Sequence, residues 1–101
     1  MKTERKRYVQ FKLHSEGGVI DEKKLTHVIR KSLLSLYGEI ALADSKLFLN
    51  EFDPETGIGI MQCALPTLER VIASAALIGR IDDIAVSFQP LKTSGTIKGL
   101  K

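Results

Sequence analysis

The chain has 101 residues, 44% hydrophobic and 27% charged, which suits one compact domain over 1–101 and excludes two, because a second core needs roughly another 50 residues. Its longest nearly unbroken apolar run, Val71 to Gly79, is far short of the roughly 20 residues of a membrane span, and the basic start MKTERKR leads into no apolar signal core, so a soluble, uncleaved chain with no membrane partner is expected. The net charge is +3, and a single cysteine, Cys63, with only His14 and His27 beside it, excludes an internal disulfide and offers no metal-ligand set; a reducing cytoplasm fits.

Arg7 to His14 alternates strictly, Val9, Phe11 and Leu13 against Tyr8, Gln10 and Lys12, the period of a half-buried strand. Ser15-Glu16-Gly17-Gly18 breaks it. From Asp21, an N-cap residue type, apolar positions Leu25, Val28, Ile29, Leu33, Leu36 and Tyr37 recur at helical spacing and predict a helix ending at Gly38. Glu39 to Asp44 carries no decisive pattern. Lys46 to Phe52 and Ile58 to Ala64 flank Asp53-Pro54-Glu55-Thr56-Gly57, a turn sequence, and predict a β-hairpin. Pro66 suits the first turn of a second helix reaching Gly79, and Ile84, Val86 and Phe88 alternate as a last strand ending at Pro90.

The order β-α-β-β-α-β predicts an α+β fold of the ferredoxin-like type that RNA-recognition modules share: a four-stranded antiparallel sheet with both helices on one face. The segment from Leu91 onward leaves room for an extra C-terminal helix. Such a scaffold hosts many activities and does not choose between them. Its hairpin is apolar on both sides, and the second helix is apolar or small almost all round, so a covering element is needed. That cover is either the C-terminal segment folded back or a partner protein meeting Phe48, Phe52, Met61, Ala73 and Ala76.

Charge is unevenly placed. The basic arm at 1–6, extended by Arg7, carries Lys2, Arg5, Lys6 and Arg7 against Glu4; the tail at 91–101 carries Lys92, Lys98 and Lys101; the body between them is mildly acidic. The first helix adds a basic stripe with Lys23, Lys24, His27, Arg30 and Lys31. Clustered cations of this kind either suit a polyanion, through release of its counterions, or simply keep the chain ends and a helix face solvated. Catalytic signatures are weak: the histidines and the cysteine fall on separate elements, Asp82-Asp83 sits at a turn, and Gly57-Ile58-Gly59 lies in a hairpin rather than between strand and helix. Tyr8 alone offers an aromatic on the two central strands, which disfavours sequence reading by base stacking and favours phosphate contacts.

Several short stretches resemble a known family when taken together. Arg7-Tyr8, Leu33-Leu34 with Gly38-Glu39, Leu47-Phe48-Leu49, Gly57-Ile58-Gly59-Ile60 with Cys63, Leu68-Glu69-Arg70-Val71 and Ser94-Gly95-Thr96-Ile97-Lys98 are similar, in order and spacing, to the archaeal ribonuclease P protein component 2 family. The resemblance spans positions 7 to 99. It implies an accessory subunit of the ribonucleoprotein that removes the 5′ leader from precursor tRNA, in which the RNA and its magnesium ions perform the hydrolysis. It implies partners as well: the ribonuclease P RNA, ribonuclease P protein component 3 in a heterodimer or heterotetramer, other ribonuclease P proteins, and precursor tRNA indirectly. No catalytic residue and no cofactor of this chain's own is implied. Lys98 is carried over as an RNA contact with the tail; Lys2, Arg5, Lys6, Arg7, Lys23, Arg30, Lys31, Lys92 and Lys101 are candidates from charge alone. The alternative on the same scaffold is a ligand-binding regulatory domain that uses its apolar surface to form a homodimer.

Overall fold

A computed structural model describes residues 5–100. In chain order it contains β1 (Lys6–Glu16), α1 (Glu22–Ser45), β2 (Phe48–Phe52), β3 (Ile58–Ala64), a 3₁₀ turn (Leu65–Thr67) running into α2 (Leu68–Ala76), β4 (Arg80–Ile81), β5 (Ile84–Ser94) and a C-terminal 3₁₀ turn (Lys98–Leu100). The strands form one antiparallel sheet in the order β2-β3-β1-β5-β4. Without β4 this is the expected split βαβ arrangement. The sheet has five strands rather than four because Arg80 and Ile81 pair with Ala85 and Ile84 across a tight turn.

Alternation along β1 decides which face is covered. Val9, Phe11 and Leu13 are buried and join Leu25, Ile29 and Leu33 of α1 and Val71 and Ala75 of α2 in one core cluster, so both helices lie on the same face. Phe11 is its centre, stacked against Phe88 at 4.8 Å and Phe52 at 6.1 Å between ring centroids. Burying each of these large side chains contributes about 1.5–3 kcal/mol before entropy is counted. Asp21 caps α1 as its residue type suggests, its carboxylate accepting from the Lys23 amide at 3.1 Å.

Three predicted boundaries need correction. First, α1 does not stop at Gly38: that residue takes φ 91°, ψ 175°, and helical geometry then resumes as far as Ser45. The kink re-aims the chain, burying Ala41 and Ser45 but leaving Leu36 and Tyr37, predicted to face the core, exposed. Second, the last strand does not stop at Pro90. Pro90 lies opposite Phe11 and Lys92 opposite Gln10, so Leu91 is the extra residue of a bulge, where a proline without an N–H is tolerated. Third, beyond the strand there is one 3₁₀ turn and no C-terminal α-helix among the described residues.

The C-terminal turn packs against β1 and β5. Ile60, which points away from the helices by strand alternation, is buried, and so is Leu100; both lie outside the helix-side cluster. The folded-back tail therefore covers part of the sheet at β1 and β5.

Candidate nucleic-acid and partner surfaces

The basic candidates divide into two groups, one at an end of the sheet and one along α1. Tyr8 pairs with Ser94 and Gln10 with Lys92, so the start of β1 and the end of β5 are neighbours. This brings Arg5, Lys6 and Arg7 to Lys92 and Lys98, residues more than 80 positions apart in sequence. Arg5, Lys6, Lys92 and Lys98 are exposed and Arg7 is half-buried. Arg7 donates from Nη1 to the Lys6 carbonyl at 3.0 Å and lies against Gly95, where an added Cβ would stand 3.3 Å from the same nitrogen. Lys2 and Lys101 lie outside the described residues.

Along α1 the stripe is real but partly committed. Lys24 pairs with Asp82 at 3.2 Å. Arg30 donates to the Leu47 carbonyl at 2.8 Å and so ties the helix to the start of β2. Lys23 and His27 line an open groove with Asp21 and Asp82, which lowers its positive potential. Lys31 is exposed beside a second groove, between α1 and the end of α2, where Ser35, Leu36, Leu77 and Arg80 also lie.

The interface candidates fare unequally. Phe48 and Ala76 are exposed and Ala73 is half-buried, as a contact surface requires. Met61 is buried inside the core cluster, because its pairing opposite Val9 places it under the helices; it is not a surface residue. Phe52 is half-buried and stacks on Phe11, so it serves the core first. The apolar surface expected on the second helix is present at Leu77, exposed at 68%; what the sequence reading missed is that of α1, where Leu34, Leu36, Tyr37 and Ile40 are all exposed, Ile40 at 79%. The signal was present, since Leu33-Leu34, Leu36-Tyr37 and Ile40 make a stripe too broad for one buried helix face. Tyr37 also carries the Arg70 guanidinium 5.7 Å above its ring.

Burial pushes the Cys63 thiol up to about 11, with a hydrogen bond from Thr67 offsetting only part of that rise, so it is an inert core residue at neutral pH. Among the described residues no group of three His, Cys, Asp or Glu side chains is placed to hold a metal ion, and no helix is long and apolar enough to cross a membrane. The open basic end and the exposed apolar helices suit binding.

Comparison with known proteins agrees in sequence and in fold. Residues 7–101 match the model of the Rpp14/Pop5 family. The chain is 37% identical over 97 residues to ribonuclease P protein component 2 of Archaeoglobus fulgidus, covering 96% of this chain and 85% of that protein. It is 34% identical over 98 residues to the protein of the same name from Pyrococcus furiosus, covering 97% and 81%. A chain in the cryo-EM structure of yeast ribonuclease MRP superposes with a TM-score of 0.74 at 12% identity, over 95% of this chain and 78% of that one, which supports the fold. With the family model matched along nearly its whole length, the chain belongs to the Rpp14/Pop5 family.

Proposed function

We propose that this chain is a protein subunit of ribonuclease P, supporting the catalytic RNA as it removes the 5′ leader from precursor tRNA. The observation that carries this is the 37% identity to an archaeal component 2 over nearly the full length of both chains. The subunit is not itself the catalyst. Its work is to offset phosphate repulsion and hold the RNA in its active shape, which lowers the magnesium that folding and substrate binding demand. Magnesium belongs to the RNA in this reading, and the chain binds no cofactor.

Ribonuclease P protein component 3 is the protein partner in this proposal, in a heterodimer that can double into a heterotetramer, within a cytoplasmic particle that holds the other ribonuclease P proteins. The exposed Leu36, Tyr37, Ile40 and Leu77 supply the apolar surface such a partner would cover. Reconstitution tests the proposal directly. Ribonuclease P RNA and component 3 are assayed for precursor tRNA cleavage at limiting magnesium with and without this chain. Stimulation by the chain, with no cleavage by the chain alone, is the expected result; equal rates with and without it would remove the proposal.

A further inference from the structure

Resting on the ribonuclease P reading, we propose that the basic end of the sheet, built from Arg5, Lys6, Arg7, Lys92 and Lys98, is one composite site for the sugar-phosphate backbone of RNA, and that the basic stripe of α1 is not. Three observations separate the two surfaces.

The first is the bulge in β5. Val86 and Phe88 point into the core, so uninterrupted alternation would send Pro90 and Lys92 the same way. The extra residue Leu91 reverses that alternation, and Lys92 emerges opposite Gln10, on the face that Lys6 and Tyr8 share. A one-residue insertion thus places a cation from the tail beside cations from the N-terminal arm. The second is how the tail is held. After β5 the chain passes Gly95 against the Arg7 guanidinium, the Thr96 amide donates to Ser94 Oγ at 3.3 Å, the Gly99 amide donates to Thr96 Oγ1 at 3.1 Å, and Leu100 is buried. Lys98 is therefore carried on an anchored turn that packs against β1 and β5.

The third is the distribution of acids. Glu16, the hairpin-turn residues Asp53 and Glu55, and Asp82 and Asp83 of the β4–β5 turn all gather at the far end of β1, as the pairing of Lys12 with Ile58 and of Glu16 with Ala85 requires. The two ends of β1 are about 33 Å apart by strand rise, roughly four Debye lengths at physiological salt. The acidic pole is too distant to neutralise the basic end, where Glu69 in the first turn of α2 and Asp44 near the end of α1 are the opposing acids and belong to the helix layer, whereas Lys6 and Lys92 face away from the helices. The same pole directly opposes Lys23 and Lys24, the latter already paired with Asp82. A polyanion meets a molecule polarised along its sheet and is drawn to one end.

The test measures binding of the full chain to ribonuclease P RNA by anisotropy over a salt series. Each phosphate contact contributes about 0.7–0.9 to the slope of log K against log salt. Lys6→Ala/Lys92→Ala/Lys98→Ala should lower that slope by about 2 and weaken binding at least about tenfold, at an unchanged circular dichroism spectrum. Lys23→Ala/Lys31→Ala should leave both nearly unchanged. A milder variant guards against a folding defect: Lys92→Ala alone should lose about one contact, and adding Gln10→Lys, its cross-strand neighbour on the same face, should restore it. An unchanged slope in the triple variant, an equal loss in the α1 pair, or no rescue by Gln10→Lys would overturn the proposal. The reconstituted cleavage assay keeps the two readings apart. If wild-type chain stimulates cleavage while the triple variant binds normally, the site assignment alone fails; if wild-type chain neither binds nor stimulates, the ribonuclease P reading fails and the site falls with it.

Discussion

Gly57 answers two demands at once. It closes the β2–β3 turn at φ 78°, and its carbonyl accepts from the Leu13 amide at 2.7 Å, so an added Cβ would collide with the Leu13 carbonyl. Gly57→Ala should therefore destabilise the domain by about 2 kcal/mol or more, read as a lower midpoint in urea with an unchanged slope. Asp53 prepares the same turn, its carboxylate accepting from the Glu55 amide at 2.9 Å. Cys63 makes a prediction of opposite character. Its folded thiol is pushed up to about 11 by burial, whereas an unfolded cysteine ionises near 8.5. Between those values the unfolded chain has released the proton that the folded chain keeps, so stability falls as pH rises through this window and is fully present below it. Denaturation midpoints from pH 8 to pH 11 should fall more steeply for wild type than for Cys63→Ala. Equal slopes would show that another group governs the alkaline limb.

Among the elements, α1 shows how far local pattern reaches. The spacing of Leu25, Ile29 and Leu33 gives the buried face correctly, and Gly38 marks a true break. What that pattern does not contain is that a second helical segment follows the break, because its burial depends on where the kink sends Ala41 and Ser45. Gly38→Ala forces a side chain into a backbone conformation that glycine tolerates, with open space around it. The cost should be backbone strain alone, about 1–3 kcal/mol, smaller than for Gly57→Ala and readable in the same denaturation series. The hairpin was legible because Asp-Pro-Glu-Thr-Gly encodes its own geometry, and β1 because one face is wet and the other dry. Met61 was misplaced because β3 is apolar on both faces, so only its pairing with β1 reveals which side is which. Proline at position 90 signalled a strand end and instead marks a bulge; without that bulge in view, Lys92 has no assigned face. The joining of the two basic ends is a fact of strand order, which single-element patterns do not carry.

At the scale of the whole molecule, the surfaces that differ in chemistry also differ in position. The basic end sits on the sheet, while Leu34, Leu36, Tyr37 and Ile40 are exposed on α1 and Leu77 just past α2, with Leu36 and Leu77 in one groove between the two helices; Phe48, Ile58 and Leu91 are exposed on strands. The Ser32 hydroxyl donates to the Ser74 carbonyl at 2.8 Å across that contact, so small residues hold the two helices close while the larger apolar side chains project outward. On the proposed assignment of the two surfaces, this separation would let one subunit bind RNA and protein at once without competition. It also makes the protein contact testable independently of the RNA contact. Leu77 is exposed, so Leu77→Glu should leave the melting temperature within about 2 °C of wild type. If component 3 covers the groove, the buried carboxylate should weaken the heterodimer at least about tenfold by calorimetry, since desolvating an unpaired charge costs more than 1.4 kcal/mol. Val19→Glu changes a residue equally exposed at 67% but remote from that groove, and should bind as wild type. Undiminished binding by Leu77→Glu would move the protein contact off the helices, to the exposed Phe48 on the β2 edge. The slope of RNA binding against salt should be unaffected in either variant, because neither substitution lies near Lys6, Lys92 or Lys98.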